Sequence, residues 1–445
     1  MTTVRQPAMA NAFYSGDAVK LKKQISFFLQ HSNNTDYKSR AVIVPHAGYV
    51  YSGQLACESI NQLDKNVKNI FIFAPSHNAY FDGIAISSFD EWKTPIGNIG
   101  LNKTITEELI KNYGTNYNDN AHSLEHSIEV QIPFIQCIFD NVKIIPILIS
   151  NQTSDLITNI IQNYWQNREN AFIISSDLSH YLTDKNAKKL DNITAQMIEE
   201  VNFNGISHDQ ACGITGIIGL AHFSKNNSYS LIRLNMTNSG SITEDKSSVV
   251  GYGTWFLYEG ERNKYIKEYY STFIKELVIT TIKSKLNNET QKQIEYPQVL
   301  NEMGACFVTL EKNGNLRGCI GSTIAYRPLI EDIIEHSKDS AFEDTRFTPV
   351  SLDEIKDLSV SVSILTTPEK IEFEDEQDLL NKIMPNVDGL IIKDGSYGAV
   401  YLPSVWEQLP DKQEFLISLK LKAGMKANHF SKTFRAFRFR TVCIE

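Results

Sequence analysis

The feature that most constrains this chain is a set of short, unbroken apolar runs in its first half. Ala41-Val42-Ile43-Val44, Ile70-Phe71-Ile72-Phe73, Lys143-Ile144-Ile145-Pro146-Ile147-Leu148-Ile149 and Phe172-Ile173-Ile174 are rich in β-branched and aromatic residues and lack polar alternation. Each is too short for a stable helix, and a strand apolar on both faces must be covered on both faces. Segments of helical character lie between them, at residues 17–29 and 154–166. The pattern predicts an α/β domain with a largely parallel, buried sheet. A later run, Gly253-Thr254-Trp255-Phe256-Leu257-Tyr258, closes that domain before the polar Glu259-Gly260-Glu261-Arg262-Asn263.

A chain of 445 residues exceeds one ordinary core, so a second domain is expected, with bounds 1–262 and 263–445. The second begins with a helix over residues 265–286 and a polar connection at 287–291. A hairpin follows, with Asn313-Gly314 between apolar runs, because both residues tolerate positive φ. Residues 358–365 alternate as a strand, which gives an α+β reading.

Composition excludes several classes. Hydrophobic residues at 42% and charged residues at 21% fit a globular protein. A net charge of -9 argues against a general nucleic-acid binder. No apolar run reaches the length of a membrane span. The Met-Thr-Thr-Val opening has no basic segment followed by an apolar core, so a cytoplasmic protein is expected. The six cysteines are scattered without a CxxC pair and read as free thiols.

Three of the apolar runs end alike. They lead into Pro45-His46, Ala74-Pro75-Ser76-His77 and Ser175-Ser176-Asp177-Leu178-Ser179-His180. Ligands of open α/β sheets bind beyond the carboxyl ends of the strands, and parallel strands put those ends on one edge. One histidine there is an ordinary surface residue; three, with Asp177, predict a metal site suited to Fe, Zn, Mn or Cu. Cys212, in Ala211-Cys212-Gly213-Ile214-Thr215-Gly216, opens an apolar helix whose N-terminus would favour a thiolate. Gly213, Gly216 and Gly219 read as close helix packing. His122-Ser123-Leu124-Glu125-His126 matches the H-x-x-E-H pattern of inverted zinc peptidases, which needs both histidines on one helical face. The competing reading turns His126 and Glu129 into the cleft of the strand-end histidines. In the second half, Arg317 and Cys319 of Leu316-Arg317-Gly318-Cys319-Ile320-Gly321 share a strand face and could hold an anion or a peptide, or simply form a tight hairpin. Phe434-Arg435-Ala436-Phe437-Arg438-Phe439-Arg440 reads as an edge strand with Phe inward and Arg in water.

Two resemblances then emerge. Residues 4–260 resemble the MEMO family through Pro45-His46-Ala47-Gly48-Tyr49-Val50-Tyr51-Ser52-Gly53, Pro75-Ser76-His77, the stretch from Glu125-His126-Ser127-Ile128-Glu129 to Pro133-Phe134, Ser176-Asp177-Leu178-Ser179-His180 and Ala211-Cys212-Gly213. Residues 265–445 resemble the AMMECR1 family through Leu316 to Gly321, Ala341-Phe342-Glu343-Asp344 and Leu419-Lys420-Leu421-Lys422-Ala423-Gly424. The pairing is similar to a fusion of the A and B proteins of the AmmeMemoRadiSam system. The resemblance implies a fold like that of class III extradiol dioxygenases, which use non-haem Fe(II). It implies His46, His77 and Cys212 as metal ligands, Asp177 and His180 as catalytic residues of the cleft, and a separate radical SAM partner. This chain has no CxxxCxxC motif of its own.

The expectation is a metal-dependent redox enzyme using iron, with copper as second choice, acting on an unidentified small molecule or peptide. His180, oriented by Asp177, would move protons. Tyr51, His126, Glu129, Arg317 and Cys319 would contact substrate. The alternatives are a non-catalytic metal- or peptide-binding module that docks the partner, and a zinc peptidase through His122, Glu125 and His126.

Overall fold

Backbone groups in an apolar run must be paired when the run is buried, and the first-half runs solve this by pairing with one another. In the computed structural model, which describes residues 2–32, 35–150, 153–289 and 296–445, they become strands Ala41–Val44, Asn69–Pro75, Lys143–Ile149 and Asn170–Ser175. Ala41–Val44 pairs parallel with Asn170–Ser175, which pairs parallel with Asn69–Pro75, which pairs parallel with Lys143–Ile149. Their carboxyl ends therefore share one edge. Val249–Tyr258 adds antiparallel to Ala41–Val44, carrying Ser230–Asn238 and His180–Leu182 with it. Ile84–Ile86 and Asn116–Tyr117 extend the other side, giving nine strands among the described residues.

Both faces of this sheet are covered. Phe71, Phe73, Ile145, Ile147, Phe172 and Ile174 form one buried cluster with Ile157, Ile161 and Trp165 of helix Ser154–Trp165 and Ile217, Leu220 and Phe223 of helix Ile214–Asn226. Val42, Val44, Ile70 and Ile72, of opposite parity, are equally buried, and helix Tyr49–Asn61 packs on the Ala41–Val44 strand. The glycine triplet serves this packing. A Cβ on Gly213 would strike the Ser175 carbonyl, and one on Gly219 would strike Ile157. Asp17 caps helix Ala18–Gln30 by accepting from the Val19 and Lys20 N–H groups.

The described residues divide into two compact units, Met1–Arg262 and Asn263–Glu445. Helix Arg262–Leu286 spans that division; of the polar connection after it, Thr290 and Gln291 lie outside the described residues. The second unit is α+β. One antiparallel sheet orders Asn315–Gly321, Cys306–Lys312, Leu358–Leu365 and Thr441–Ile444; the other orders Glu369–Ile371, Arg435–Phe439, Gly389–Asp394 and Tyr397–Tyr401. The hairpin turn at Asn313 and Gly314 has φ of 53° and 77°, the left-handed pair that the dipeptide favours.

The Arg435–Phe439 strand corrects an expectation. It lies inside its sheet, between Glu369–Ile371 and Gly389–Asp394, rather than at an edge. Both its faces carry packed side chains: Ala436 joins the cluster around Trp406 and Phe415, while Phe439 and the half-buried Phe437 pack with Ile391 and Leu365. No helix among the described residues is long and apolar enough to cross a membrane.

Gly318 supplies a direct test of the second unit's packing. A Cβ there would overlap the carbonyl oxygen of Ser340 in helix Leu329–Phe342, and a backbone carbonyl has no rotamer by which to yield. Gly318→Ala should lower stability by about 1–3 kcal/mol or more in urea unfolding, an overpacking cost; an unchanged midpoint contradicts this packing.

Candidate metal centre

His46 follows the Ala41–Val44 strand by two residues, and His77 follows Asn69–Pro75 by two. Asp177 follows Asn170–Ser175 by two on the same edge. Its Oδ1 accepts the backbone N–H of His46 at 2.8 Å, which ties the first and third strand ends together. The segment 119–129 delivers the remaining groups. It is not one helix: Asp119–Ser123 ends at Leu124, and Glu125 caps a new short turn, His126–Glu129, by accepting from the His126 and Ser127 N–H groups at 3.0 and 3.1 Å.

That break overturns the H-x-x-E-H reading. His122 is buried away from the cleft, with Nε2 3.0 Å from the Ala85 carbonyl and its ring edge-on to Trp92. Glu125 turns instead toward two other imidazoles. Its Oε2 accepts the His77 backbone N–H at 2.6 Å. Its Oε1 stands 2.9 Å from His77 Nδ1 and 3.2 Å from His126 Nδ1. Burial alone would raise this carboxyl; the His126 and His77 donors outweigh it and hold Glu125 far below the usual carboxylate range.

These contacts orient the rings. An ionised carboxylate only accepts, so His77 Nδ1 is the donor to it and Nε2 is the ring atom left over, while His126 Nδ1 stands beside the same oxygen. His46 is oriented through Ser175. The Ser175 hydroxyl donates to the Ser127 carbonyl at 2.7 Å and accepts from Gln131 Nε2 at 3.0 Å, so it accepts from His46 Nδ1 at 2.9 Å. Burial, then the neighbouring His126 and His77, keeps His46 well below its ordinary pKa and neutral. One ligand atom from each of His46, His77 and His126 lies within 4.8 Å of the others. The ring centroids of His46 stand 5.3 Å from those of both His77 and His126, and the latter two are 4.6 Å apart. Imidazole nitrogens sharing one ion stand about 2.0–2.1 Å from it, hence about 3.3 Å apart in a tetrahedron, so small side-chain rotations close the group. The donor set fits a transition metal held by imidazoles, with His46 and His77 each oriented by a second hydrogen bond.

Cys212 meets this group at one corner. Its Sγ is 3.2 Å from His46 Nε2 and accepts the Asp177 N–H at 3.3 Å, but it is not among the three atoms that converge. The expected thiolate at a helix N-terminus is not what this environment makes. Burial, then the Asp177 carboxylate, pushes the thiol up to about 12. The group is therefore a thiol, with its Sγ between His46 Nε2 and the Asp177 carbonyl. Asp177 is itself raised by burial, against the His46 N–H and nearby His180. Among the described residues His180 makes no hydrogen bond with Asp177, whose Oδ1 is occupied by His46; His180 begins the bulged His180–Leu182 strand. Tyr51 is exposed in the first turn of Tyr49–Asn61.

Glu129 differs from its expected role. It is fully buried and saturated, accepting from Arg5 Nη1 at 2.6 Å, the Ala8 and Met9 N–H groups at 2.9 and 2.8 Å, and the Tyr14 hydroxyl at 2.6 Å. No oxygen remains for a substrate. Arg317 likewise already holds an anion: its Nε and Nη2 each lie 3.1 Å from the Glu354 carboxylate, which also takes Lys312. The Cys319 sulfur accepts from the Thr309 hydroxyl at 3.2 Å. Sequence reasoning missed Glu125 as an orienting carboxylate and Ser175 as the partner of His46; a glutamate directly before a histidine and ahead of a short apolar turn was the available signal for the first.

The depressed Glu125 carboxyl contributes stability in full above its ordinary value of about 4.3 and loses it as pH falls toward the folded value. Glu125→Gln should cost about 2–4 kcal/mol at neutral pH, the worth of several charged hydrogen bonds. The gap from wild type should narrow as pH falls below about 4; a gap constant with pH would mean that this carboxylate is not ionised in the fold.

The profile of the Memo-like protein family matches residues 5–256, and that of the AMMECR1 family matches residues 275–444. A MEMO1 family protein of Metallosphaera sedula is 31% identical over 273 residues, covering 56% of this chain and 97% of that protein. One from Aquifex aeolicus is 31% identical over 266 residues, covering 57% and 99%. A solved structure of an uncharacterised protein from Pyrococcus horikoshii shares 34% identity, covering 38% of this chain and 88% of that one, with a TM-score of 0.36. The chain belongs to the Memo-like family, and it carries an AMMECR1 region after its Memo region.

Proposed function

We propose that residues 1–262 form the metal centre of a redox enzyme that uses iron, with copper as the second candidate. His46, His77 and Cys212 are its ligands, and His126 is a further imidazole facing the same ion. The observation that supports this most is that one ligand atom from each of His46, His77 and His126 lies within 4.8 Å of the others, with the Nδ1 atoms of His46 and His77 held by Ser175 and Glu125. Structural or surface histidines have no need of such shared orientation. When bound, the metal supplies redox and Lewis-acid chemistry. The chain's own residues do the rest. Cys212 gives up its proton to become a charged donor, so metal uptake through it rises with pH. His180 takes or delivers a proton at the open side, and Asp177 holds His46 in place. Tyr51 flanks the opening as a substrate contact.

In this reading the first unit shares the fold of class III extradiol dioxygenases but not their donor set. Those enzymes use two histidines and a carboxylate. Here a thiol and a third imidazole occupy that role and the nearby carboxylates orient or buffer, so ring-cleaving chemistry does not carry over. The companion protein is a separate radical SAM enzyme, for which the AMMECR1 region is the docking domain.

Full-length protein purified without air should contain about one equivalent of iron or copper by elemental analysis. His46→Ala and His77→Ala should lose it; Cys212→Ala should bind at least about tenfold more weakly, no less than the loss of an outer-shell partner costs. Stoichiometric metal in Cys212→Ala would remove the thiol from the ligand set. His180→Ala should keep the metal and lose metal-dependent oxygen consumption; full consumption in that variant would remove His180 from proton transfer.

A further inference from the structure

The segment that carries Glu125 and His126 cannot hold its own shape. Its two helical pieces, Asp119–Ser123 and His126–Glu129, have five and four residues, too few for internal hydrogen bonds to fix the kink between them. The constraint comes from the other end of the sequence. Arg5, in the two-residue strand Val4–Arg5, pairs beside Trp92 of Glu91–Thr94 and is only 2% exposed. Its Nε donates to the His122 carbonyl at 2.8 Å, its Nη2 to the Glu125 carbonyl at 2.9 Å and its Nη1 to Glu129 Oε2 at 2.6 Å. One planar fork thus grips the segment before the kink, at the kink and beyond it. The guanidinium is also held over the Trp92 ring, 4.2 Å from its centroid. Glu129 in turn pins Ala8, Met9 and Tyr14, so the first residues of the chain cannot slide.

Burying a full ion pair is poor value for stability alone, since desolvation offsets most of the attraction. What this pair secures is the direction of Glu125, and with it the directions of the His77 and His126 lone pairs. We propose that Arg5 is the positioning residue of the metal centre, acting through the main chain of 122–129 on Glu125. The proposal rests on the metal-binding reading above. Lysine cannot replace this fork, because one ammonium nitrogen cannot reach three acceptors set around a plane.

The test is an anaerobic Co(II) titration of the full-length protein, read by the visible ligand-field spectrum, with His77→Ala as the control for the site. Arg5→Lys should keep the wild-type far-UV circular dichroism, weaken Co(II) binding by about 10–100-fold and change the position and intensity of the bands, as loss of an orienting partner does. A merely structural arginine would lower the melting temperature and leave the spectrum of the bound ion intact. That outcome, or wild-type affinity in Arg5→Lys, overturns the proposal. If Arg5→Lys does not fold, Glu129→Gln decides: it keeps both carbonyl bonds but removes the charge that anchors Nη1. It should show the same band changes with binding weakened about tenfold or more, the range for such partners; an unchanged spectrum overturns the proposal. Wild-type protein that binds Co(II) without dependence on His77 takes down the metal-centre reading itself, and this inference with it.

Discussion

The carboxylate of Glu125 accepts the backbone N–H groups of His77, His126 and Ser127, faces the Nδ1 atoms of His77 and His126, and takes the Asn78 amide at 3.3 Å. One buried charge therefore does three things. It starts the short turn at His126, it joins that turn to the loop after Asn69–Pro75, and it orients the His77 ring with His126 Nδ1 alongside. A neutral group in its place could not accept from all these donors at once. The parallel strands bring His46, His77 and Asp177 to one edge, but edge placement alone leaves each ring free to rotate. The hydrogen bonds of His77 to Glu125 and of His46 to Ser175 fix how those two rings face the shared space.

The legible part of the sequence is the part governed by local patterning. Ile70-Phe71-Ile72-Phe73 has no polar face to offer water, so it had to be a two-sided strand, and its terminal histidine had to lie on the ligand edge. Asn313-Gly314 fixed its own turn. What escaped reading depended on partners distant in the chain. His122 to His126 has the spacing of one helical face, yet the chain kinks at Leu124, where the Arg5 fork holds the His122 and Glu125 carbonyls and Glu125 meets His77, 48 residues away. Glu129 looked available for a ligand, and its neutralisation by Arg5 spans 124 residues. Arg435–Phe439 alternates like an edge strand; nothing local reveals that Glu369–Ile371 pairs on its second side. Cys212 shows the same limit in energy rather than contact, since burial overrides the benefit of a helix start.

The second unit gives its marker sequence a mechanical meaning. Arg317 grips Glu354, Gly318 makes room for the Ser340 carbonyl, the Cys319 N–H donates to Asp344 at 2.9 Å, and the Ile320 N–H donates to the Ser340 hydroxyl at 2.9 Å. Consecutive residues of Leu316 to Gly321 thus clamp the hairpin to helix Leu329–Phe342 and to the turn at Asp344. Spacing that looked chemical has a packing role here.

The central claim is that the Nε2 atoms of His46 and His77 converge on one metal ion. Crystals of the full-length protein grown without air and loaded with Fe(II), measured at the iron absorption edge, test it most directly. The account predicts one anomalous peak about 2.1 Å from both Nε2 atoms, an ordinary metal–imidazole distance, with Glu125 still bonded to the Nδ1 side. A peak bonded through Nδ1 with Glu125 displaced, or no peak at this edge of the sheet, would contradict it.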